Sequence, residues 1–467
     1  MATAEGPRIA GGPGFGAGGA EVVTPLRRAI SRPMLTVFVI GDVLGAGIYA
    51  LVGVIGAEVG GAIWSSFLLA GVLALFTATA YAELVTKYPQ AAGAALYVHR
   101  AYRTPFFTFM VAFAVMSSGI TSAATLATAF GGDYLKEFLD LPTVLVGLVF
   151  LVVIEAINFR GIKESIWLNM GLTAIEVTGL LLVVVIGGAF LFDGGGDFGR
   201  VMEFTADEAP LLAIVSGATL AFYALIGFED SVNVAEETRE PSRTYPPALF
   251  MGLGAAGVIY LLIAIIASAA VPTDTLAASS GPLLEVVRLG PFAVSTRLFS
   301  AIALFALTNG ALINLIMASR LIYGMAAQGV IPRPLGRVHG GRRTPWVAIL
   351  FTGALAAILI IIGSLERLAD TTVLLLLLVF VCVNITVLVL RRDPVEHDHF
   401  RALTALPVIG AITCVGLIAK TAFDEPITFA YAGGLLALGV ALWLLDRAFW
   451  GGEEEEIDPT KLLDEAP

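Results

Sequence analysis

Charge is scarce in this sequence. Only 14% of its 467 residues are Asp, Glu, Lys or Arg, whereas 57% are hydrophobic and the mean hydropathy is +0.88. An ordinary soluble domain is about 25% charged. So few charges cannot cover a soluble fold of this length, which excludes a globular cytosolic enzyme and assigns the excess apolar mass to lipid. Cysteine is scarcer still: Cys382 and Cys414 both sit in apolar runs and offer neither a disulfide framework nor a zinc set. Histidine occurs four times, at 99, 339, 397 and 399, always between apolar runs; His397-Asp398-His399 lacks further ligands and reads as a solvated turn. No phosphate-binding Gly-x-x-x-x-Gly-Lys-Ser/Thr loop occurs, which argues against ATP-driven transport by this chain alone, and no cluster of nucleophile, base and metal ligands suggests a membrane enzyme. No cofactor is expected.

What the sequence has is apolar length. Runs fall near 34–57, 63–86, 105–130, 143–159, 165–192, 211–235, 246–271, 294–327, 344–363, 368–390, 402–421 and 427–449. Each is close to the roughly 20 residues that a helical crossing needs, so the expected fold is an all-α polytopic membrane protein with 12 transmembrane helices. With the N-terminus in the cytoplasm, only Lys136, Arg200, Arg288, Arg297, Arg367 and Lys420 of the 27 basic residues fall outside. The positive-inside rule therefore places both termini in the cytoplasm, and topology accounts for the basic residues without a nucleic-acid partner. The expected organisation is a disordered tail over 1–26, a five-helix unit over 27–192, another over 193–400, two further helices over 401–450, and an acidic disordered tail over 451–467. The net charge of -11 owes much to that last tail, with Glu453 to Glu456 in succession.

Two runs are interrupted. The first carries Gly41-Asp42-Val43-Leu44-Gly45-Ala46-Gly47-Ile48-Tyr49 near its middle, where each glycine costs about 1 kcal/mol of helix propagation relative to Ala. Close helix packing explains a lone Gly-x-Gly equally well. The sixth run decides between them: Ala221-Phe222-Tyr223-Ala224-Leu225-Ile226-Gly227-Phe228-Glu229-Asp230 places a glycine and two acids in an apolar span, at about 2.5 to 3.5 kcal/mol per mid-depth charge. Interrupted helices at corresponding positions of two halves point to a transporter's midplane site. A break exposes amides at one half-helix start and carbonyls at the preceding half-helix end, and a zwitterion needs both. The amides near Gly45, Ala46, Gly47 and Ile48 suit a carboxylate. The carbonyls of Phe222, Tyr223, Ala224 and Leu225, beside Gly227, suit an ammonium group.

Four patches of this sequence resemble the amino acid-polyamine-organocation superfamily over residues 30–350. They are Gly45 to Tyr49; Tyr81-Ala82-Glu83-Leu84 through Pro89, Gly93 and Tyr97; Gly227-Phe228-Glu229 followed by Ala235-Glu236-Glu237 and Pro241-Ser242-Arg243; and Ser319-Arg320-Leu321-Ile322-Tyr323 with Gly329 to Pro332 and Thr344-Pro345-Trp346. The resemblance implies a LeuT-type fold of two inverted five-helix repeats with broken helices 1 and 6, plus two extra C-terminal helices, working by alternating access. It is similar in particular to bacterial amino acid permeases of the cationic-amino-acid-transporter-like branch. What this implies is a secondary transporter of the cytoplasmic membrane importing an amino acid, with H+ the expected coupling ion and Na+ open. A polyamine or amine carrier and an amino acid exchanger are the alternatives; a channel would show a repeated pore filter. Several proton-coupled relatives carry a lysine at about the point where this chain has Glu176.

Asn169, Thr173 and Glu176, spaced i, i+4, i+7, form one polar stripe on the fifth helix. Glu176 is the candidate proton carrier, weighed against an acid that merely bonds neighbouring helices. Asp42, about 12 Å into the first helix, is a second candidate for proton or cation binding, or pairs near the helix end. Glu229 serves a gate or, with Asp230, pairs with Arg320 or a loop arginine. Glu83 and Glu155 read as structural, as do Asn309, Asn314 and Asn384. The hydroxyls of Ser117, Ser118, Thr121, Ser122 and Thr125 line one side of helix three and either touch substrate or pack helices.

Overall fold

A computed structural model of the protein describes residues 28–450 apart from 91–92, 161–165, 206–208, 293 and 343; the two expected tails lie outside the described residues. The first half comprises α1 (Arg32–Val43), α2 (Gly47–Val59), α3 (Ile63–Lys87), α4 (Gly93–Tyr102), α5 (Pro105–Phe130), α6 (Asp133–Lys136), α7 (Thr143–Arg160) and α8 (Ile166–Phe192). Then follow α9 (Pro210–Leu225), α10 (Pro241–Ala270), α11 (Thr273–Ala278), α12 (Pro282–Leu289), α13 (Thr296–Ala327), α14 (Trp346–Ile362), α15 (Leu365–Leu390), α16 (Ala405–Asp424) and α17 (Pro426–Trp450). A helix satisfies every backbone group within its own segment, which is what an apolar run requires in hydrocarbon. Proline opens α5, α9 and α10, where its missing N–H is no loss.

Among the described residues, ten spans are long and apolar enough to cross a bilayer, counting α5 with α6, and α9 with the 3-10 turn Asp230–Glu237, as one each. Helices α1 and α2 pass only together, as a pair bent by 46°, and α14 is apolar but 17 residues long. The chain is an all-helical, multi-pass membrane protein. Each of the twelve apolar runs falls on one of these elements, the first on the bent pair and the ninth on α14.

Burial ranks the spans. In α5, 78% of the most apolar window is inside the molecule, and in α3 and α15 67%, whereas in α16 and α17 only 28% and 33% are. The first three are therefore interior and the last two peripheral. Helix α5 lies between α13 and α15, and α9 packs on both α2 and α3. Two isolated β-bridges brace the interrupted elements at either end. Ile30 pairs with Thr238 beyond the 3-10 turn, and Gly60 at the end of α2 pairs with Phe204 ahead of α9.

Candidate functional site: two helix breaks on one cavity

Helix α1 stops at Val43, where the Leu44 amide turns back to the Ile40 carbonyl at 2.7 Å. Helix α2 begins after three intervening residues, at Gly47, behind Ala46, and no side chain caps it. The first-turn amides of α2 thus lack intrahelical acceptors and carry the positive end of its dipole. Helix α9 stops at Leu225; Ile226 is extended, with φ -64° and ψ 148°, and Gly227 adopts φ +123°.

The two breaks touch. A Cβ on Gly47 would stand 2.9 Å from the Ala224 Cα, and one on Gly227 would stand 2.5 Å from the Asp42 carbonyl oxygen. Glycine is required at 227 twice over, by its positive φ and by this approach. Tyr260 of α10 fastens the arrangement: its hydroxyl donates toward the Ala224 carbonyl, in the last residue but one of α9, at 3.0 Å and lies against the carbonyl of Val43, the last residue of α1. Sequence reasoning passes over Tyr260. Its only signal is a phenol deep in an apolar run, where the hydroxyl must find a partner.

Between the breaks lies a cavity of about 120 Å³. Gly45, Ala46, Gly47, Tyr223, Ala224 and Gly227 line it, while Ile48, Phe222 and Leu225 are buried behind it. Tyr223 spans from α9 to α5, 3.0 Å from the Ser122 hydroxyl. Phe222 and Phe228 instead turn to Phe380, with ring centres 6.0 and 5.5 Å away. Ser118 and Ser122 reach the cavity; Thr121 is turned to Thr372 of α15, at 2.8 Å.

Four acids face the cavity: Asp42, Glu176, Glu229 and Asp230. Among the described lining residues there is no Lys, Arg or His. Glu176 of α8 is 2% exposed, and its Oε1 accepts from the Asn309 amide of α13 at 3.3 Å. The Glu176 carbonyl accepts from the Tyr49 hydroxyl at 2.8 Å, so α2, α8 and α13 meet at this residue. Asn309 lines the cavity too, beyond the packing role that its sequence context suggests. Glu229 folds back on its own break, its Oε2 accepting the Gly227 amide at 2.9 Å. Thr173 is buried but sits behind the cavity, against Gly41, where any side chain at 41 would collide with it. The Asn169 side chain lies outside the described residues. Glu83 is remote from the cavity, held by Arg391 through Nη2 at 2.6 Å and Nε at 2.7 Å.

Tyr49, Tyr134 and Phe299 cluster outside the cavity lining, edge-on or tilted, with ring centres 6.2 to 6.4 Å apart, and the Tyr134 hydroxyl donates to the Tyr49 carbonyl at 2.9 Å. Toward the start of α1 and the end of α13 the lining continues through Gly41, Asp42, Met317 and Leu321.

The family profile described as "Amino acid permease" matches residues 30–443. An uncharacterized transporter of Mycobacterium tuberculosis is 27% identical over 430 residues, covering 91% of this chain and 93% of the relative. The branched-chain amino acid permease BcaP of Bacillus subtilis is 23% identical over 444 residues, 90% and 93% of the two chains. Cationic amino acid transporter 4 of Mus musculus is 27% identical over 394 residues, which cover 79% of this chain and 60% of that one.

Proposed function

The chain belongs to the amino acid permease family, which is one of transporters and not of enzymes, and from that premise we propose that it is a secondary active transporter importing an amino acid by alternating access, coupled to protons. The observation that carries this reading is the convergence of an uncapped helix start, at Gly47, and a helix end, at Leu225, on one cavity. The substrate carboxylate docks on the amides of Gly45 to Ile48, and its ammonium group docks on the carbonyl end of α9. Of the two that line the cavity, the Ala224 carbonyl already accepts from Tyr260 at 3.0 Å and the Tyr223 carbonyl from the Ile226 amide at 3.4 Å, so the ammonium group uses the second lone pair of one of them.

The bent pair α1–α2 opens one five-helix unit, and α9 with its 3-10 turn opens the next. That correspondence supports twelve crossings, α14 included, arranged as two inverted repeats followed by α16 and α17. The asymmetry of the basic residues supports cytoplasmic termini and a place in the cytoplasmic membrane. On this reading the cluster of Tyr49, Tyr134 and Phe299 lies on the outer side of the breaks and the cavity continues inward past Asp42. Glu176, buried where α2, α8 and α13 meet, is the proton carrier, because its carboxyl lines the cavity between the breaks and has the Asn309 amide of α13 beside it.

Uptake of a panel of labelled amino acids into proteoliposomes tests the function. Saturable uptake of at least one amino acid, raised by an inward proton gradient and indifferent to sodium, is expected. No uptake of any amino acid, in preloaded exchange as well, removes the carboxylate assignment. A second reading, an amine or polyamine carrier, draws support from four acids and no base lining the cavity; it requires uptake of amines that lack a carboxylate.

A further inference from the structure

Helices α7 and α14 leave a cleft of about 600 Å³ between them, remote from the central cavity. It opens away from the bundle, since Val152 and Leu350 on its walls are 68% and 61% exposed. Its walls are apolar but for one ionisable group, Glu155. Both carboxyl oxygens of Glu155 are buried, and neither makes a hydrogen bond of ordinary geometry. The nearest polar neighbour, the Asn158 amide, is turned to the Ser319 hydroxyl and the Leu315 carbonyl at 3.3 and 3.5 Å. Gly353 makes room for the carboxyl from the opposite wall: a Cβ there would stand 3.0 Å from Glu155 Oε1.

The Phe159 end of the cleft has a cationic rim built by a folded loop. The Arg342 guanidinium lies 4.9 Å over the Phe159 ring, the His339 ring meets the same ring edge-on at 5.4 Å, and the Thr344 hydroxyl donates to the Phe159 carbonyl at 3.1 Å. Arg160 follows, exposed. An occupant must therefore supply an anion at the rim, an oxygen acceptor or donor about 7.5 Å deeper for Glu155, and a long apolar body below. A glycerophospholipid carries phosphate, ester groups and acyl chain in that order.

We propose that the α7–α14 cleft is a binding site for an anionic glycerophospholipid, with its phosphate on Arg160 and Arg342, its ester region beside Glu155 and an acyl chain between Val152 and Leu350. An acid in a lipid-facing wall with no base beside it and only the Asn158 amide near it marks a site in its own right, and arginine at the membrane boundary selects anionic headgroups. The site rests on the chain's crossing the membrane and not on its substrate, so either assignment can fail without the other.

Trp346 stands in the cleft and reports on it. The full chain is reconstituted in phosphatidylcholine vesicles containing brominated-chain phosphatidylglycerol or brominated-chain phosphatidylcholine, and quenching of Trp346 is taken as the difference between the parent protein and Trp346→Phe. Phosphatidylglycerol is expected to quench at lower mole fraction, with a preference of about fivefold per arginine. Arg342→Gln should cut that preference about fivefold and the Arg160→Gln, Arg342→Gln pair should abolish it. Ala354→Phe, which fills the cleft and keeps the charges, should abolish it as well. Equal quenching by the two lipids overturns the proposal, as does a preference that survives Ala354→Phe. Shielding of Trp346 from both lipids overturns it too, since it would mean that a partner helix fills the cleft.

Discussion

A single hydroxyl proton on Tyr260 serves two carbonyls, Ala224 at the end of α9 and Val43 at the end of α1. Both belong to the breaks, and removal of the donor leaves buried acceptors without it, at about 1 to 3 kcal/mol. Tyr260→Phe should lower the thermal midpoint in detergent and raise KM for uptake more than it lowers kcat; an unchanged KM would separate Tyr260 from the site. Gly227→Ala meets the Asp42 backbone and an unfavourable φ together, each worth about 1 to 3 kcal/mol. Thermal unfolding of Gly227→Ala should therefore show a lower midpoint, whereas Gly71→Ala, inside α3 at a position open to a Cβ, should match or exceed the parent. Glu176→Gln keeps the shape and the Asn309 contact but cannot carry a proton; counting accumulated substrate at imposed pH gradients should show gradient-driven uptake lost and exchange preserved. Retained gradient-driven uptake would take Glu176 out of the coupling scheme.

Between elements, a buried polar tie outside the site joins α3 to the chain that leaves α15. Glu83 is 1% exposed, takes two bonds from Arg391, and accepts the Ala402 amide at 2.9 Å. Arg391→Ala leaves that carboxylate buried without its partner, which costs about 3 to 5 kcal/mol. The Glu83→Gln, Arg391→Gln pair should recover part of this in denaturation midpoints, and additive losses would show that the two do not interact. A more exposed clasp joins the α6 end to α12 and α13. There Glu137 accepts from the Thr296 hydroxyl at 2.7 Å and from Arg288, and these bonds hold its pKa below the usual carboxylate range. A depressed pKa stabilises the fold at pH above the unfolded value, about 4.3. That contribution fades as pH falls through the folded value, so the midpoint of Glu137→Gln should converge on that of the parent in acid. Both ties escape sequence reading for one reason: Glu83 and Arg391 are 308 residues apart, and nothing local selects an acid's partner. The breaks are legible because glycines and acids in apolar runs violate helix propensity and bilayer solvation at once. Asn309 and Tyr260 violate only the second, and a packing role explains them equally well until α8, α10 and α13 are seen together.

At the scale of the whole molecule, the count and order of apolar runs are readable because hydrocarbon imposes a fixed length on every crossing. The bend of 46° between α1 and α2 and the shortness of α14 are not, since they depend on what the neighbouring helices pack against. Which cavity residues face inward is also hidden, as Ile48, Phe222 and Leu225 show: each adjoins a lining residue in sequence, but helix rotation turns it away. The account's central claim is that the two breaks form one amino acid site. Counterflow tests it most directly: proteoliposomes preloaded with an unlabelled amino acid are diluted into its labelled form, for the parent and for Gly47→Val, which pushes a side chain into α9 at Ala224. The account predicts a transient overshoot for the parent and none for a folded Gly47→Val protein. An equal overshoot in both would place the substrate elsewhere and contradict it.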